Sequence, residues 1–188
     1  MPELMDKLYG YQVCLDAVCE TDLAMIREWR NDPAVARFML SQQVITAEQQ
    51  QAWFKKISRD QSQQHFVIRY KNQAIGVANI KVYYQGETLL GARVVEPGLY
   101  IADSRYRNNI LAFAPTLVLN DYCFDVLQVE SLSAVVKADN QAALNYNAKL
   151  GYKIEQHAEL VKIRLGYSDY QQHSQTLKAL LNRTSRTQ

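Results

Sequence analysis

Asn140, Tyr146 and Asn147 fall in one short stretch, Asn140-Gln141-Ala142-Ala143-Leu144-Asn145-Tyr146-Asn147-Ala148-Lys149-Leu150-Gly151-Tyr152. Their amides and hydroxyl could hydrogen-bond a polar ligand or give up a proton. Asn140 suits a helix start, where its side chain accepts from an orphan backbone N–H. Ala143, Leu144, Asn147 and Leu150 keep helical spacing, and Gly151 can end the helix in a left-handed conformation. Other chemistry is poorly supplied. His65, His157 and His173 lack metal-site spacing, and Cys14, Cys19 and Cys123 make an odd count without a CxxC pair. Free, buried thiols in a reducing compartment and no structural metal are the expectation.

The elements that must position these residues read in order. Tyr11–Leu15 is a strand. Thr21-Asp22 opens a helix carrying Leu23, Ile26 and Trp29, and Asn31-Asp32-Pro33 breaks it before a second helix from Ala34 to Met39. Thr46-Ala47-Glu48-Gln49 has capping-box form ahead of Trp53, Phe54 and Ile57. Strands follow at Phe66–Tyr70, Ala74–Tyr83 and Val94–Ile101, the last interrupted at Pro97. The polar loop Asp103–Asn109 leads into a long helix, Ile110 to Leu127, with Pro115 tolerated in its first turns. A strand over 131–137, the Asn140 helix, and strands at Tyr152–His157 and Leu160–Leu165 complete the pattern. The local unit around Asn140 also suits any strand–helix–strand segment.

Composition narrows the class. The 188 residues suit one domain, 1–188, with a frayed tail from about residue 182, and 48% apolar residues supply a sizeable core. Lys plus Arg number 21 against 19 Asp plus Glu, a balance without the basic stripe of a nucleic-acid binder. No run of roughly 18 apolar residues could span a membrane, and the N-terminus lacks signal-peptide form. The reading is a cytoplasmic, mixed α+β protein.

Asn140-x-x-Ala143 followed by Leu150-Gly151-Tyr152 resembles the last conserved block of the GNAT superfamily of acetyl-CoA-dependent N-acyltransferases, and the element order is similar to theirs. Trp29-Arg30-Asn31-Asp32-Pro33, Met39, Ile45-Thr46 and Trp53-Phe54 resemble two branches. One acetylates the N-termini of ribosomal proteins. The other, which the pairing of Trp-Arg-Asn-Asp-Pro with Trp-Phe resembles more, acetylates nucleotide-linked amino sugars, as in pseudaminic-acid biosynthesis. Glu96-x-Gly98 and Gly166-Tyr167-Ser168-Asp169 are similar to motifs of the same relatives. The resemblance spans about residues 11 to 180. It implies a GNAT fold with a central, mostly antiparallel mixed sheet of about seven strands flanked by helices, and acetyl-CoA as co-substrate.

The resemblance also implies roles. Arg107-Asn108-Asn109-Ile110-Leu111-Ala112 aligns with the pyrophosphate loop, whose backbone N–H groups face phosphate at a helix N-terminus. Arg107 and Ala112 fit the family pattern. Ile110 stands where the first Gly belongs, and a β-branched residue at positive φ would be strained. Leu99, Tyr100 and Ile101 would pair with pantetheine amides on a splayed strand at Pro97. Asn140, Ala143 and Asn147 would lie near the CoA chain, Asn140 also serving as a cap. Glu96 is the implied general base, or else a carboxylate facing solvent or pairing with a lysine. Tyr146 is one residue, about 100°, from the family's proton-donor position, so it either donates to the thiolate or points into the core. Trp29, Arg30, Trp53 and Tyr83 would line the acceptor pocket, Arg30 suiting a phosphorylated acceptor.

The implied activity is transfer of acetyl to a primary amine of a small acceptor, first a nucleotide-linked amino sugar. The alternatives are a protein N-terminal acetyltransferase and a non-catalytic GNAT-fold binding module with an altered CoA loop. Exposed strand edges late in the chain could pair into a homodimer.

Overall fold

A computed structural model of the chain describes residues 3–183. One sheet of eight strands forms the centre, in the order β1-β2-β3-β4-β5-β6-β8-β7. The strands are β1 (Lys7–Gly10), β2 (Val13–Ala17), β3 (Gln63–Tyr70), β4 (Gln73–Val82), β5 (Val94–Ile101), β6 (Ser131–Lys137), β7 (Lys153–Gln156) and β8 (Leu160–Gly166). All neighbours are antiparallel except β5 and β6. The sheet exceeds the expected seven strands by the hairpin partner β1. Its two-residue turn places Tyr11 and Gln12 at φ 50° and 72°. Two successive positive φ values suit the right-handed twist of a hairpin, but neither residue is Asn or Gly, so no turn signal appears in the sequence. Lys71-Asn72 makes the same kind of turn between β3 and β4, at φ 46° and 63°.

Helices cover both faces. On one lie α1 (Leu23–Asn31), α2 (Pro33–Ala36) and α3 (Ala47–Ile57). The expected helix to Met39 stops after one turn. The capping box at α3 forms as read, with Thr46 Oγ1 accepting from Gln49 N and Gln49 Oε1 accepting from Thr46 N. The helix expected over 110–127 divides into a 3-10 turn at Ile110–Phe113, α4 at Ala114–Asp121 and a π turn at Tyr122–Val126. Helix α5 (Gln141–Lys149) closes with Gly151 at φ 97°, where Tyr152 N donates to Asn147 O and Gly151 N to Ala148 O. That pair of bonds is a Schellman cap.

A final helix, α6 (Tyr167–Arg183), follows β8 and begins within the Gly166-Tyr167-Ser168-Asp169 motif, beyond the last element read from the sequence. Asp121 anchors it: one carboxylate accepts from Tyr11 Oη, Tyr170 Oη and Lys178 Nζ, tying the first hairpin, α4 and α6 together. Except for residues 182 and 183, the tail expected to fray lies outside the described residues. Cys123 is buried, but Cys14 is only half-buried and Cys19 is exposed, because the first turn after β2 places it at the surface.

The main core lies between the sheet and α4, around Phe66, Ile68, Ile80, Leu117, Leu119 and Leu132. A smaller cluster, Ile26, Val67 and Val77 with Trp29 and Tyr100, packs beneath α1 on the opposite face. Gly76 lets β5 approach β4 in the middle of this arrangement. A Cβ there would sit 2.2 Å from Tyr100 O and 3.0 Å from Ile101 Cα. We expect Gly76→Ala to lower stability by on the order of 2–4 kcal/mol, because β5 must move aside. Urea unfolding checks this, and an unchanged midpoint would place β5 elsewhere.

Candidate functional site

Strands β5 and β6 pair at only two positions, Val94 with Ser131 and Val95 with Leu132. Strand β5 nevertheless stays paired to β4 as far as Ile101. The sheet therefore forks after Val95, at the point where Pro97 has no N–H to offer a neighbour. A cavity of about 820 Å³ follows the fork. One arm lies between β5 and the elements β6 and α5, with Leu99, Ile101, Ala112, Val136, Asn140 and Ala143 in its wall. The other crosses the sheet face beneath α1 and α3, where Ile26, Arg30, Trp53, His65, Asn79 and Tyr100 line it.

In the first arm the loop before α4 follows a path that accepts isoleucine. The described residues with positive φ do not include Ile110. Asn109 is extended at φ −127°, and its Oδ1 accepts from Leu111 N at 2.9 Å, starting the 3-10 turn. Ile110 is 42% exposed and absent from the cavity wall. With φ negative and the side chain outside, the steric argument for glycine does not apply at this position. Arg107 and Asn108 line the arm. The Arg107 guanidinium donates to Ile101 O and Ala102 O at 2.9 and 2.5 Å, which closes off the end of β5. Asn140 Oδ1 caps α5 through Ala143 N at 3.1 Å, and Asn147 donates to Ala143 O.

Tyr146 is a strut of this arm. Its hydroxyl donates to Ala112 O at 3.0 Å and meets Thr116 Oγ1 at 2.5 Å, while its ring stacks on Phe113 at 4.4 Å. Burial pushes the phenol well above its ordinary range. The hydroxyl proton is thereby committed to a backbone carbonyl.

The second arm is apolar with a few polar groups. Ile26 and Arg30, one helical turn apart on α1, both reach it. Arg30 Nη1 and Tyr100 Oη are sealed from solvent without a protein partner. Burial raises the Tyr100 phenol far above its ordinary value, and the Arg30 charge offsets this in part. His65, Asn79 and Gly98 form one row across β3, β4 and β5. The Asn79 amide lies over Gly98, whose absent Cβ would be 3.0 Å from Asn79 Oδ1. The His65 imidazole meets the Trp53 ring edge-on at 5.1 Å. Burial and, secondarily, the charge of Lys81 push its pKa down to about 4.

Several residues singled out in the sequence stand outside the cavity wall. Trp29 packs against Ile26, Val67 and Val77. Tyr83 lies beneath Lys162 and Arg164, 4.9 and 5.9 Å from its ring centroid, and borders a separate hollow of about 270 Å³. Leu111 is buried in the main core and Asn109 is spent on the turn. Glu96 shares the sheet face of Tyr100 and faces Lys81 in register, at the root of the fork but outside the lining. Conversely, His65, Asn79, Lys81, Thr116 and Lys137 line the cavity and were not singled out. Strand alternation puts residues 65 and 79 on one face each, but only the register makes them neighbours.

The sequence model of the acetyltransferase (GNAT) domain matches residues 12–153. Acetyltransferase PseH of Campylobacter jejuni is 27% identical over 124 residues, which cover 65% of this chain and 71% of that protein. The crystal structure of spermidine N-acetyltransferase from Vibrio cholerae in complex with CoA and spermine matches with a TM-score of 0.73 at 18% identity, over 86% of this chain and 99% of that one. That of Campylobacter jejuni N-acetyltransferase PseH matches with a TM-score of 0.63 at 19% identity, over 83% of this chain and 99% of that one. At these identities the structural likeness speaks for the fold.

The depressed His65 pKa makes a stability prediction. The unfolded chain takes up a proton near pH 6.5, whereas the folded chain resists until about pH 4. The stability contributed by this neutral ring is complete above pH 6.5 and is lost as pH falls through that window. The loss is on the order of 3 kcal/mol at most. Urea midpoints at pH 7, 5.5 and 4 should fall less steeply for His65→Phe than for the wild type.

Proposed function

This chain belongs to the GNAT acetyltransferase family, and from that premise we propose that it moves an acetyl group from acetyl-CoA directly to a primary amine of a nucleotide-linked amino sugar. The observation that carries this reading is the forked cavity with two buried, unpartnered donors, Arg30 Nη1 and Tyr100 Oη, in its second arm. A buried donor without an acceptor is costly, by about 1–3 kcal/mol and more for a charged group. A phosphate of the acceptor would satisfy both donors, and guanidinium suits phosphate better than any other side chain. The similarity to PseH supports the amino-sugar class.

In this reading acetyl-CoA enters the first arm. Strand β5 past Val95 has no β-partner on the β6 side, so the backbone of Leu99–Ile101 is open to pantetheine amides. Among the described residues, the N–H groups of Asn108, Asn109 and Ile110 have no protein acceptor and can meet the diphosphate. Asn140, Ala143 and Asn147 form the facing wall. The thioester then sits at the fork. The amine must be neutral to attack the thioester carbonyl carbon. Nitrogen and carbon form the new bond, the carbon–sulfur bond breaks, and the thiolate leaves with the electron pair. Glu96, at the root of the fork, takes the amine proton through a water. Tyr146 keeps its proton on Ala112 O and serves as a strut, so the thiolate takes its proton from another source.

Two measurements test this. In a thioester-consumption assay, the wild-type chain should turn over UDP-glucosamine, a nucleotide-linked amino sugar, in preference to spermine or a peptide N-terminus. Arg30→Gln should raise the KM for the nucleotide sugar about 10–100-fold and leave that for acetyl-CoA unchanged. Equal turnover of a phosphate-free amine would remove the phosphate reading. Calorimetry should find that Ile110→Gly changes acetyl-CoA affinity less than about threefold, since the side chain lies outside the cavity. A larger gain would mean that the isoleucine obstructs the loop.

A further inference from the structure

His65 lies in the wall of the acceptor arm, and nothing in the acetyl-transfer scheme above uses it. Its hydrogen bonds are those of a fixed ring. The Gln63 amide stands between it and Asp60: Gln63 Nε2 donates to Asp60 Oδ2 at 2.5 Å, and Gln63 Oε1 lies 2.8 Å from His65 Nε2. Asp60 also accepts from Ser62 N and Ser62 Oγ, at 2.9 and 2.5 Å. These bonds from Ser62, with that from Gln63, hold the Asp60 carboxyl below the usual carboxylate range, so it is ionised.

The direction of the chain follows from the inventory of donors. A carboxylate can only accept, so the NH₂ end of Gln63 must face Asp60. The oxygen of Gln63 is then the atom that faces the ring, and it too can only accept. His65 must donate from Nε2. A neutral imidazole has one N–H, so Nδ1 carries the lone pair. Burial, which drives the pKa to about 4, keeps the ring in this neutral form at ordinary pH. Among the described residues Nδ1 has no partner, and it is not one of the atoms sealed from solvent. Trp53 from α3 packs edge-on against the ring, and Asn79 stands opposite on β4. Lys81, whose charge acts on the ring, lines the same cavity.

We propose that the Asp60–Gln63–His65 chain locks the imidazole as the Nε2–H tautomer, so that Nδ1 is a hydrogen-bond acceptor in the amine-binding arm for an N–H or O–H of the sugar. The residue is an acceptor-binding group, with Gln63 and Asp60 as positioning residues behind it. The site would then read both ends of one molecule. Arg30 and Tyr100 offer donors to an anion, while His65 Nδ1 and the Asn79 amide face a neutral, hydrogen-bonding part. An aliphatic chain without a hydroxyl would leave Nδ1 unpaired, which selects against it. The inference rests on the amino-sugar reading for the identity of the donor group, and on the geometry alone for the tautomer.

The test separates these two. Nitrogen-15 NMR of the full chain labelled at histidine reads the tautomer without any acceptor. The wild type should show His65 as Nε2–H with a lone pair on Nδ1, and Gln63→Met should release a mixture of tautomers. A wild-type ring protonated on Nδ1 would overturn the proposal. Titration with UDP-glucosamine should move the Nδ1 resonance. Two variants then split the functions of the ring. His65→Asn keeps an acceptor oxygen near the position of Nδ1 and should retain binding within about threefold. His65→Gln keeps only a group near Nε2 and should weaken binding about tenfold, with acetyl-CoA affinity unchanged as the control for folding. Equal binding by the wild type and His65→Gln would overturn the acceptor role. If UDP-glucosamine fails to bind the wild type while acetyl-CoA binds, the amino-sugar reading falls, and the tautomer measurement alone decides the relay.

Discussion

The separation of two parallel strands is the constraint on which the site depends. Strands β5 and β6 share only two paired positions before they part, although β4 continues to hold β5 to its end. A parallel ladder that stops in mid-sheet leaves one side of β5 without backbone partners. Such groups are tolerated only where water, a side chain or a ligand can reach them. The cavity supplies that access, and Arg107 meets two of the carbonyls at the far end. Strand β6 is held on its other side by β8 along its full length, and the core below it is continuous. The gap is therefore a stable feature of a well-packed sheet.

Polar groups divide around this gap according to what satisfies them. In the first arm, most side chains meet their own backbone: Asn109 and Asn140 cap turns, and Tyr146 ties α5 to the segment before α4. That arm is rigid, and its free groups are backbone amides. In the second arm, the relation is reversed. Arg30 and Tyr100 have buried polar atoms with nothing to bind, although most buried polar groups in folded chains are paired. Unmet donors in an apolar wall carry a cost, which an anion bound between them would offset. The two arms therefore differ in kind: the second keeps buried side-chain donors unmet, and the first keeps backbone amides unmet.

Much of this frame was legible in the residues. The Asn140 cap and the Gly151 stop of α5 and the capping box at Thr46 each rest on a local physical preference, and each took the expected form, whereas the strand expected to be interrupted at Pro97 runs unbroken along β4 and loses only its pairing to β6. The hairpin partner β1 was missed because its turn uses Tyr11 and Gln12 at positive φ, held by tertiary contacts that include Tyr11 to Asp121. Helix α6 was missed because most of its stability comes from docking through Tyr170 and Lys178. The lining of the second arm was legible only in part. Arg30 and Trp53 reach the cavity, whereas Trp29 and Tyr83 pack elsewhere, since an aromatic ring serves a core as readily as a pocket.

The sequence by itself determined most of the elements from β2 to β8, their order and the family, because capping, turn chemistry and strand alternation act over a few residues and leave a local mark. It also determined that a loop rich in hydrogen-bonding groups precedes α4. Only the tertiary structure decided the backbone path there, which turns Ile110 outward and makes glycine unnecessary. Only strand register decided that His65 stands beside Asn79, and that Gln63 links it to Asp60. Register and packing are set by the whole core at once, so a side chain's neighbours across a sheet cannot be read from its neighbours along the chain.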